Sequence, residues 1–203
     1  MSKFDEQITV VPRRLLFEEE ALAFNGFLDQ SEEKGQKIYE KLSQYEVKRR
    51  GDMEEDPSFK QLISYCLIEN EHDELLVYER LSGGGEARLH GNASIGVGGH
   101  MNDVPEVHHI DEVIKTNASR ELEEEIGVKI NNQTPLEFIG FINDDHNEVG
   151  QVHIGVVFKV KVKQQDVEVR ETDTLKIQWQ PLSQISDTSA FESWSALILE
   201  QLK

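Results

Sequence analysis

The stretch "EVIKTNASRELEEEIGV" (Glu112–Val128) predicts the helix around which the rest of the fold is arranged. Successive residues of an α-helix are about 100° apart, so Ala118, Leu122 and Ile126 form one apolar stripe that would pack on a sheet. Gly127 follows directly and is a natural C-terminal stop, because glycine adopts the left-handed conformation at little cost. The stretch therefore predicts a helix that is packed on one side and ends at a defined residue.

The glutamates of this helix form a second pattern. Glu121, Glu124 and Glu125 lie at positions i, i+3 and i+4 within one arc about 100° wide, while Glu123 points elsewhere. They occupy the last turn, where the helix macrodipole disfavours negative charge. An acid-rich run is usually a solvated face. Convergent carboxylates are also ligands for hard cations, and we expect these three to bind Mg²⁺ or Mn²⁺.

The segments around this helix predict strands of a mixed or antiparallel sheet. Alternation is clearest from residue 152 to residue 162, where every second residue is apolar, which predicts a half-buried strand. The predicted strands are "QLISYCLI" (61–68), "ELLVYERL" (74–81), "SIGVGGH" (94–100), "PLEFIGFIN" (135–143), 152–162 and "TLKIQWQ" (174–180). A last amphipathic helix covers residues 189–202. This order predicts an α/β fold with helices on the faces of the sheet.

The first sixty residues differ from the rest and are predicted to be mostly helical. Pro12 can open a helix whose apolar positions continue to Leu28, and Ser31 is a plausible N-cap for a second helix. We expect residues 1–60 to form a helical extension and residues 61–203 to form the main domain.

Composition excludes several classes of function. The chain has 203 residues, and its 39 acidic against 21 basic side chains give a formal net charge of −18. Such a surface repels nucleic acid duplexes and anionic membranes. No apolar run approaches the length of a membrane span, and the N-terminus lacks a secretory signal, so we expect a cytoplasmic protein. The single cysteine, Cys66, excludes an internal disulfide and lies in an apolar run typical of a core.

The helical stretch resembles the second half of the Nudix box, whose pattern is G-x5-E-x7-R-E-U-x-E-E-x-G-U with U aliphatic. Glu112 lies at the required distance before the arginine. The matching residues that follow are Arg120, Glu121, Leu122, Glu124, Glu125, Gly127 and Val128. The resemblance covers roughly residues 61–203 and implies a Nudix α/β/α sandwich with a mixed sheet.

The resemblance also implies a function and roles for the box residues. It implies hydrolysis of the pyrophosphate bond in a nucleoside diphosphate linked to another group. Glu124 and Glu125 would be metal ligands, and Glu121 would be a ligand or the general base. Arg120 would have a supporting role, pairing with Glu112.

The sequence departs from the box at its beginning. Gly99 is the best candidate for the opening glycine, but twelve residues separate it from Glu112 where the box has five. The loop "HMNDVPEVHHID" (100–111) therefore carries an insertion of seven residues. Since this loop precedes the helix, it could be absorbed without moving the glutamates. The backbone metal contact that the family implies near Gly99 depends on how it is absorbed.

Other side chains are candidates for contacts with the substrate. Three cations could bind its phosphates: Arg49, Arg50 and Arg88. The loop "NDDHNEVG" (143–150) could supply further carboxylates or could be an ordinary acidic turn. Its acids are Asp144, Asp145 and Glu148. His153 lies opposite the apolar face of its strand and next to this loop.

Two alternatives to a hydrolase remain open at this point. A Nudix fold could sense a nucleotide without turnover, although a sensor has no need of three clustered glutamates. An isopentenyl diphosphate isomerase shares the fold, but that chemistry would want a cysteine near residues 94–100, and Cys66 is about thirty residues upstream. We expect a small nucleotide-type partner and consider a homodimer, for which the apolar N-terminal extension could supply an interface.

Overall fold

A computed structural model of the chain describes residues 2–80, 92–170 and 175–203. Within these residues, ten strands form one sheet. The strands are β1 (Gln7–Pro12), β2 (Gly26–Asp29), β3 (Glu46–Arg49), β4 (Phe59–Glu69), β5 (Glu74–Arg80), β6 (Ala93–Ser94), β7 (Gly96–Val97), β8 (Glu137–Asn143), β9 (His153–Lys161) and β10 (Leu175–Pro181). The α-helices are α1 (Arg13–Leu16), α2 (Glu33–Lys41), α3 (Arg50–Met53), α4 (Ile110–Ile126), α5 (Glu148–Val152) and α6 (Ser193–Leu202).

The sheet is mixed, which confirms the predicted α/β class. Its main order is β10-β5-β4-β9-β8-β2, with β1 and β7 pairing beside β4. The central strands β4 and β9 run parallel, in register from Gln61 opposite His153 to Glu69 opposite Lys161. Their other named neighbours are antiparallel. The predicted hairpin of the fourth and fifth strands is present, with Glu69 opposite Leu75.

Helices cover both faces of the sheet. On one face, the apolar stripe of α4, with Ala118, Leu122 and Ile126, is buried in the larger hydrophobic core. On the other face, Ile198 and Leu199 of α6 belong to a second core. Residues of β9 alternate between these two cores, so the strand is buried on both faces for most of its length. The prediction of a half-buried strand was therefore wrong, because the terminal helix covers the face assigned to solvent.

The N-terminal residues are less helical than predicted. The helix expected from Pro12 to Leu28 stops at Leu16, and three glutamates, Glu18 to Glu20, have positive φ angles of 46°, 52° and 75°. Left-handed residues in succession cannot continue a right-handed helix. The β-branched run before Pro12 forms β1 and pairs with β3 and β4, while β2 pairs with β8. The second predicted helix is confirmed as α2, but its N-cap is Glu32 and not Ser31.

Strands from both sides of residue 60 therefore share one sheet. The division of the chain into residues 1–60 and 61–203 stays a prediction about domain organisation. The pairing of β1 with β4 shows that the earlier segment contributes directly to the sheet that carries the central helix.

Hydrogen bonds at Met101 and Asn102 anchor the loop that carries the seven-residue insertion. Asn117, buried on α4, accepts a hydrogen bond from the backbone N–H of Asn102 and donates one to its carbonyl, both at 2.9 Å. The backbone N–H of Thr9 donates to the carbonyl of Met101 at 2.8 Å. The insertion is thus fastened to α4 and β1, and α4 still ends at Gly127 with φ 69°.

Candidate active site

The central helix brings Glu121 against the glycine that precedes the insertion. A Cβ atom on Gly99 would lie 2.9 Å from the Glu121 carboxylate, so only glycine leaves this carboxylate room. Gly98 has φ 157°, and a Cβ there would lie 1.8 Å from the carbonyl oxygen of Ser64. The two glycines therefore allow the chain to pass between β4 and α4 and to meet the box glutamate.

Charge around Glu121 is only partly balanced. Burial raises the pKa of the Glu121 carboxyl, the Arg120 guanidinium opposes this, and the charge of Glu124 raises it further. Burial likewise raises the pKa of the Cys66 thiol, and the charges of Glu121 and Glu125 add to the effect. The box glutamates are thus close enough to repel one another and their neighbours. A bound cation would relieve this repulsion, so the donor set suits a divalent metal.

Arg120 supports Glu121 rather than Glu112. Its Nη2 donates to Oε1 of Glu121 at 2.6 Å and to the carbonyl of His100 at 3.3 Å. Glu112 is exposed at the other end of α4. Eight residues return to nearly the same side of a helix, but they also advance about 12 Å along it, beyond the reach of this pair. The predicted pairing of Arg120 with Glu112 was wrong for this reason.

The guanidinium of Arg120 also has a nitrogen, Nε, that no described residue contacts by a hydrogen bond. This nitrogen is buried. A buried guanidinium N–H without an acceptor is costly in the absence of a ligand. Arg120 therefore carries one buried donor that no described residue satisfies.

The carbonyl of Gly99 is already engaged. It accepts a hydrogen bond from the backbone N–H of Ser64 at 3.0 Å and a longer one from the Ser64 hydroxyl at 3.4 Å. The family's backbone metal contact at this glycine stays a prediction. Within the described part of the chain, no three His, Cys, Asp or Glu side chains stand close enough to form a ready metal site. The roles of Glu121, Glu124 and Glu125 as ligands likewise stay predictions.

In the acidic loop after β8, unlike in the box, the aspartates are held by several protein donors each. Asp145 accepts hydrogen bonds from Arg13 at 3.0 and 3.1 Å and from Nζ of Lys60 at 2.7 Å. Asp144 is buried and accepts from the side chains of His146 and Asn147. Both carboxylates are therefore committed to protein partners.

Lys60 is the fully buried cation of this cluster. Its Nζ also donates to Oδ1 of Asn143 and to the carbonyl of Gly150, each at 2.7 Å. Burial lowers the pKa of Lys60 to about 8, although Asp145 opposes the shift. Burial alone raises the pKa of Asp145, but Arg13 and Lys60 outweigh it and lower the pKa to about 2.

A cleft of about 740 Å³ opens beside Gly99, and we call it the substrate cleft. Its volume is within the usual range for small-molecule sites. The first sixty residues contribute Lys3, Phe4, Arg50 and Glu54 to its wall. The other walls include Gly98, Gly99, His100, Asn147, Val149, His153, Phe191 and Trp194. Cations and aromatic rings thus line one space that reaches Gly98 and Gly99.

Two of the residues predicted to contact the substrate line this cleft, and the others that the structure describes do not. Arg50 and His153 line the substrate cleft. Arg49 does not, because it is paired with Asp5 and Asp52 at the surface. Glu148 is exposed at the start of α5. Arg88 lies outside the described residues.

Sequence reasoning missed His100 and the aromatic wall. His100 follows the two glycines directly, a position that could have drawn attention to it, and its Nε2 lies 3.1 Å from Nε2 of His153. Burial lowers the pKa of both rings, that of His100 to about 2. Phe191 and Trp194 are about ninety residues away in the sequence, and no local pattern connects them with the box.

The match to a family model decides the classification. The model described as the NUDIX domain matches residues 60–202. The chain belongs to the Nudix family. The matched residues include the box helix α4, the central strands β4 and β9 except for the first residue of β4, and the terminal helix α6.

Relatives of this Nudix protein extend the likeness beyond the domain. Protein YmaB of Bacillus subtilis (strain 168) is 40% identical over 207 residues, covering 100% of both chains. The crystal structure of Tm1382, a candidate Nudix hydrolase, superposes with a TM-score of 0.78 at 28% identity, covering 97% of this chain and 98% of the other. Coverage this high includes the first sixty residues, so that segment is common to all three proteins.

A more distant structure shares the fold alone. The MutT protein from Methanosarcina mazei Go1 superposes with a TM-score of 0.50 at 19% identity, covering 70% of this chain and 91% of the other. From the family-model match and the likeness to Tm1382, the chain is a Nudix pyrophosphohydrolase, and this family generally uses a divalent metal ion. No helix among the described residues is long and apolar enough to cross a membrane.

The isomerase alternative meets a buried cysteine. Cys66 on β4 is the direct partner of Val97 on β7, so the thirty residues between them in sequence do not separate them in space. The thiol is nevertheless fully buried, and burial raises its pKa. A thiol in this state is a core side chain and not a reactive group.

Proposed function

We propose that this Nudix enzyme is a Mg²⁺- or Mn²⁺-dependent hydrolase of a nucleoside diphosphate linked to another group, with Glu121, Glu124 and Glu125 holding the metal. One observation carries the proposal: Gly99 lies so near Glu121 that a Cβ atom would come within 2.9 Å of the box carboxylate, and Gly99 also lines the substrate cleft. A substrate in the cleft would therefore present its phosphates beside the box glutamates.

We assign a separate role in hydrolysis to each box residue. A divalent ion, when bound, neutralises non-bridging phosphate oxygens and makes a bound water more acidic. Glu124 and Glu125 hold that charge at the end of α4. Arg120 orients Glu121 through the 2.6 Å bond. Glu121 then serves as a third ligand or accepts the proton of the attacking water.

The residues that line the cleft support the proposed substrate class. Lys3 and Arg50 offer positive charge for a diphosphate, although Arg50 is shared with Glu6 and Glu54 at 3.2 and 3.1 Å. Phe4, 45% exposed, and Trp194 offer apolar faces on which a nucleobase can stack. Both a base and a diphosphate thus find complementary chemistry in one cavity.

We also propose that residues 1–60 act as an extension that completes this cavity for the domain of residues 61–203. Arg50→Ala should raise KM about tenfold with little change in kcat, because it removes binding and leaves the box untouched. Arg49→Ala is the matched control, since Arg49 lies outside the cleft. Equal KM values for the two variants would contradict the assignment.

A substrate panel tests the proposed reaction. Nucleotide sugars, dinucleoside polyphosphates and NADH would be incubated with the enzyme and Mg²⁺ or Mn²⁺, and products identified by mass spectrometry in H₂¹⁸O. We expect incorporation of one ¹⁸O into a phosphate of one product. Absence of product across the panel, or full activity of Glu124→Gln, would refute the proposal. Tight binding without product would instead support the nucleotide sensor.

The predicted homodimer and cytoplasmic location stay predictions. Sedimentation equilibrium of the full chain tests the dimer directly: a mass near twice 23.2 kDa is expected for a dimer, and a mass near 23.2 kDa would exclude it.

A further inference from the structure

We propose that His100, His153 and Gln61 form a binding site for a divalent transition-metal ion of the zinc type, in the wall of the substrate cleft and separate from the box glutamates. The three side chains meet in a buried spot where Nε2 of His100 lies 3.1 Å from Nε2 of His153 and 2.8 Å from Oε1 of Gln61. Nε2 of His100 thus lies within hydrogen-bonding distance of a second imidazole nitrogen and of an amide oxygen.

The backbone fixes this meeting. Gln61 and His153 are direct partners in the parallel pair of β4 and β9. His100 forms a bridge to Ile63, two residues further along β4. The sheet therefore sets the positions of all three residues, and their side chains project to one side of it. A site built on paired strands is held more rigidly than one built on a loop.

Hydrogen bonds outside the site orient two of the donors. Nδ1 of His153 donates to the carbonyl of Val149 at 2.7 Å, which leaves the lone pair of its Nε2 directed at the site. Nε2 of Gln61 donates to the carbonyl of Met53 at 3.1 Å, which turns Oε1 toward His100. Metal-binding histidines usually make this kind of bond from the other ring nitrogen to a backbone carbonyl.

The distances suit a coordination polyhedron. Zinc binds histidine nitrogen at about 2.0–2.1 Å, so two nitrogens in a tetrahedral site are about 3.3 Å apart. The observed spacing of 3.1 Å is close to this value. Without a metal, one proton on Nε2 of His100 is shared between two acceptors. A cation at the centre would satisfy all three donors at once.

The chemistry of the donors selects the type of metal. Two neutral imidazoles favour zinc, cobalt, nickel or copper, whereas the hard carboxylates of the box favour magnesium. His100 and His153 both line the substrate cleft, so the fourth position is open to it. Glu54 lines the same wall, and its charge acts on His153. Negative charge is therefore close to the proposed ion.

Binding needs one tautomeric change and no redox partner. The proton on Nε2 of His100 moves to Nδ1, exchanging through water, and the freed lone pair binds the metal. His153 keeps its proton on Nδ1, where it donates to the carbonyl of Val149, and Gln61 keeps its amide protons. The imidazoles stay neutral and the metal keeps its charge of +2, so no net proton is released.

Cobalt titration tests the site. The full chain, cleared of metal with a chelator, would be titrated with Co²⁺ in excess Mg²⁺, in the background of Glu124→Gln to weaken the box. We expect one Co²⁺ per chain, visible as a d–d absorption band and displaced by Zn²⁺. The measurement does not involve hydrolysis, so its result is independent of the proposed reaction. Absence of the band in excess Mg²⁺ would overturn the proposal.

Matched variants assign the ligands. His153→Gln and His100→Gln should each weaken Co²⁺ binding at least tenfold. His108→Ala and His109→Ala remove two exposed, adjacent histidines of the insertion and should leave binding unchanged. If the exposed pair carries the binding and the buried pair does not, the proposal is wrong.

A measurement on the unaltered chain guards against misfolded variants. Long-range ¹H–¹⁵N spectra report the two ring nitrogens of each of the seven histidines. Diamagnetic Zn²⁺ should change the ¹⁵N chemical shifts of Nε2 in His100 and His153. Nε2 of His100 should change from a protonated to a metal-bound nitrogen, and the other five histidines should show no change. Spectra with no change at the buried rings would contradict the site even if the variants fail to fold.

Discussion

The two acidic clusters of this chain look alike in sequence and differ in their counter-charges. In the box cluster, Glu121, Glu124 and Glu125, Arg120 pairs with Glu121, and one buried donor of this arginine has no partner among the described residues. The loop aspartate Asp145 is held by two cations, Arg13 and Lys60. Arg13 and Lys60 lower the pKa of Asp145 to about 2, whereas burial and the charge of Glu124 raise the pKa of Glu121 despite Arg120, so Glu121 gains more from an added cation. The balance of nearby cations, more than the number of acids, separates a ligand set from a structural ion pair.

Removing a box ligand should have the largest effect. Glu124→Gln is expected to lower kcat/KM on the order of 10³-fold, because a neutral amide holds a divalent ion poorly in the transition state. Steady-state kinetics at saturating metal measure this. Glu124 is exposed, so the unfolding temperature should stay almost unchanged. Glu123→Gln, one position away and also exposed, is the control and should retain full activity.

Removing the loop carboxylate should act on stability. Asp145→Asn leaves the buried Lys60 without its charged partner and is expected to cost about 3 kcal/mol of unfolding free energy. In a chain of this size that lowers the melting temperature by about 6–12 °C. Calorimetry measures the change, and kcat of the folded fraction should be unaltered. A loss of metal-dependent activity at a normal melting temperature would instead place Asp145 among the ligands.

A methyl group at the opening glycine should have a smaller effect on activity. Gly99→Ala puts a Cβ 2.9 Å from the Glu121 carboxylate, which must move. Displacing a catalytic group by a fraction of an ångström should lower kcat about tenfold, with little loss of stability because the carboxylate is the flexible end of its side chain. The double variant with Glu121→Gln tests the route, since the alanine should then add nothing. Additive losses would contradict this coupling.

Acid should lower the free energy of unfolding by protonating Asp145, which pairs with Arg13 and Lys60. The pKa of Asp145 is lowered from 3.8 to about 2, so its ionised form stabilises the fold above about pH 4. That contribution should disappear as the pH falls from about 4 to about 2. Urea unfolding at a series of pH values measures the slope, and Asp145→Asn should flatten it in this window. An identical slope in the variant would contradict the assignment.

Sequence patterns predicted the parts of the fold that are locally periodic. The box helix, its stop at Gly127, the paired strands and the second helix at Glu33–Lys41 are confirmed, because apolar period and turn chemistry act within a few residues. The N-terminal helix was wrong because apolar residues spaced for a helix were also compatible with a strand and turns. The pairing of β1 with β4, which brings this segment into the sheet, is a long-range contact.

The sequence by itself determined the family, the box helix and the candidate carboxylates, since all three are written in consecutive residues. Only the tertiary structure decided which acids are already neutralised, because Lys60 and Arg13 reach Asp145 across 85 and 132 residues. Only it joined His100 to His153 and Gln61, and placed Arg50 and Trp194 around one cleft. Charge compensation and cavity walls depend on distances between strands, and no local pattern in a chain records those distances.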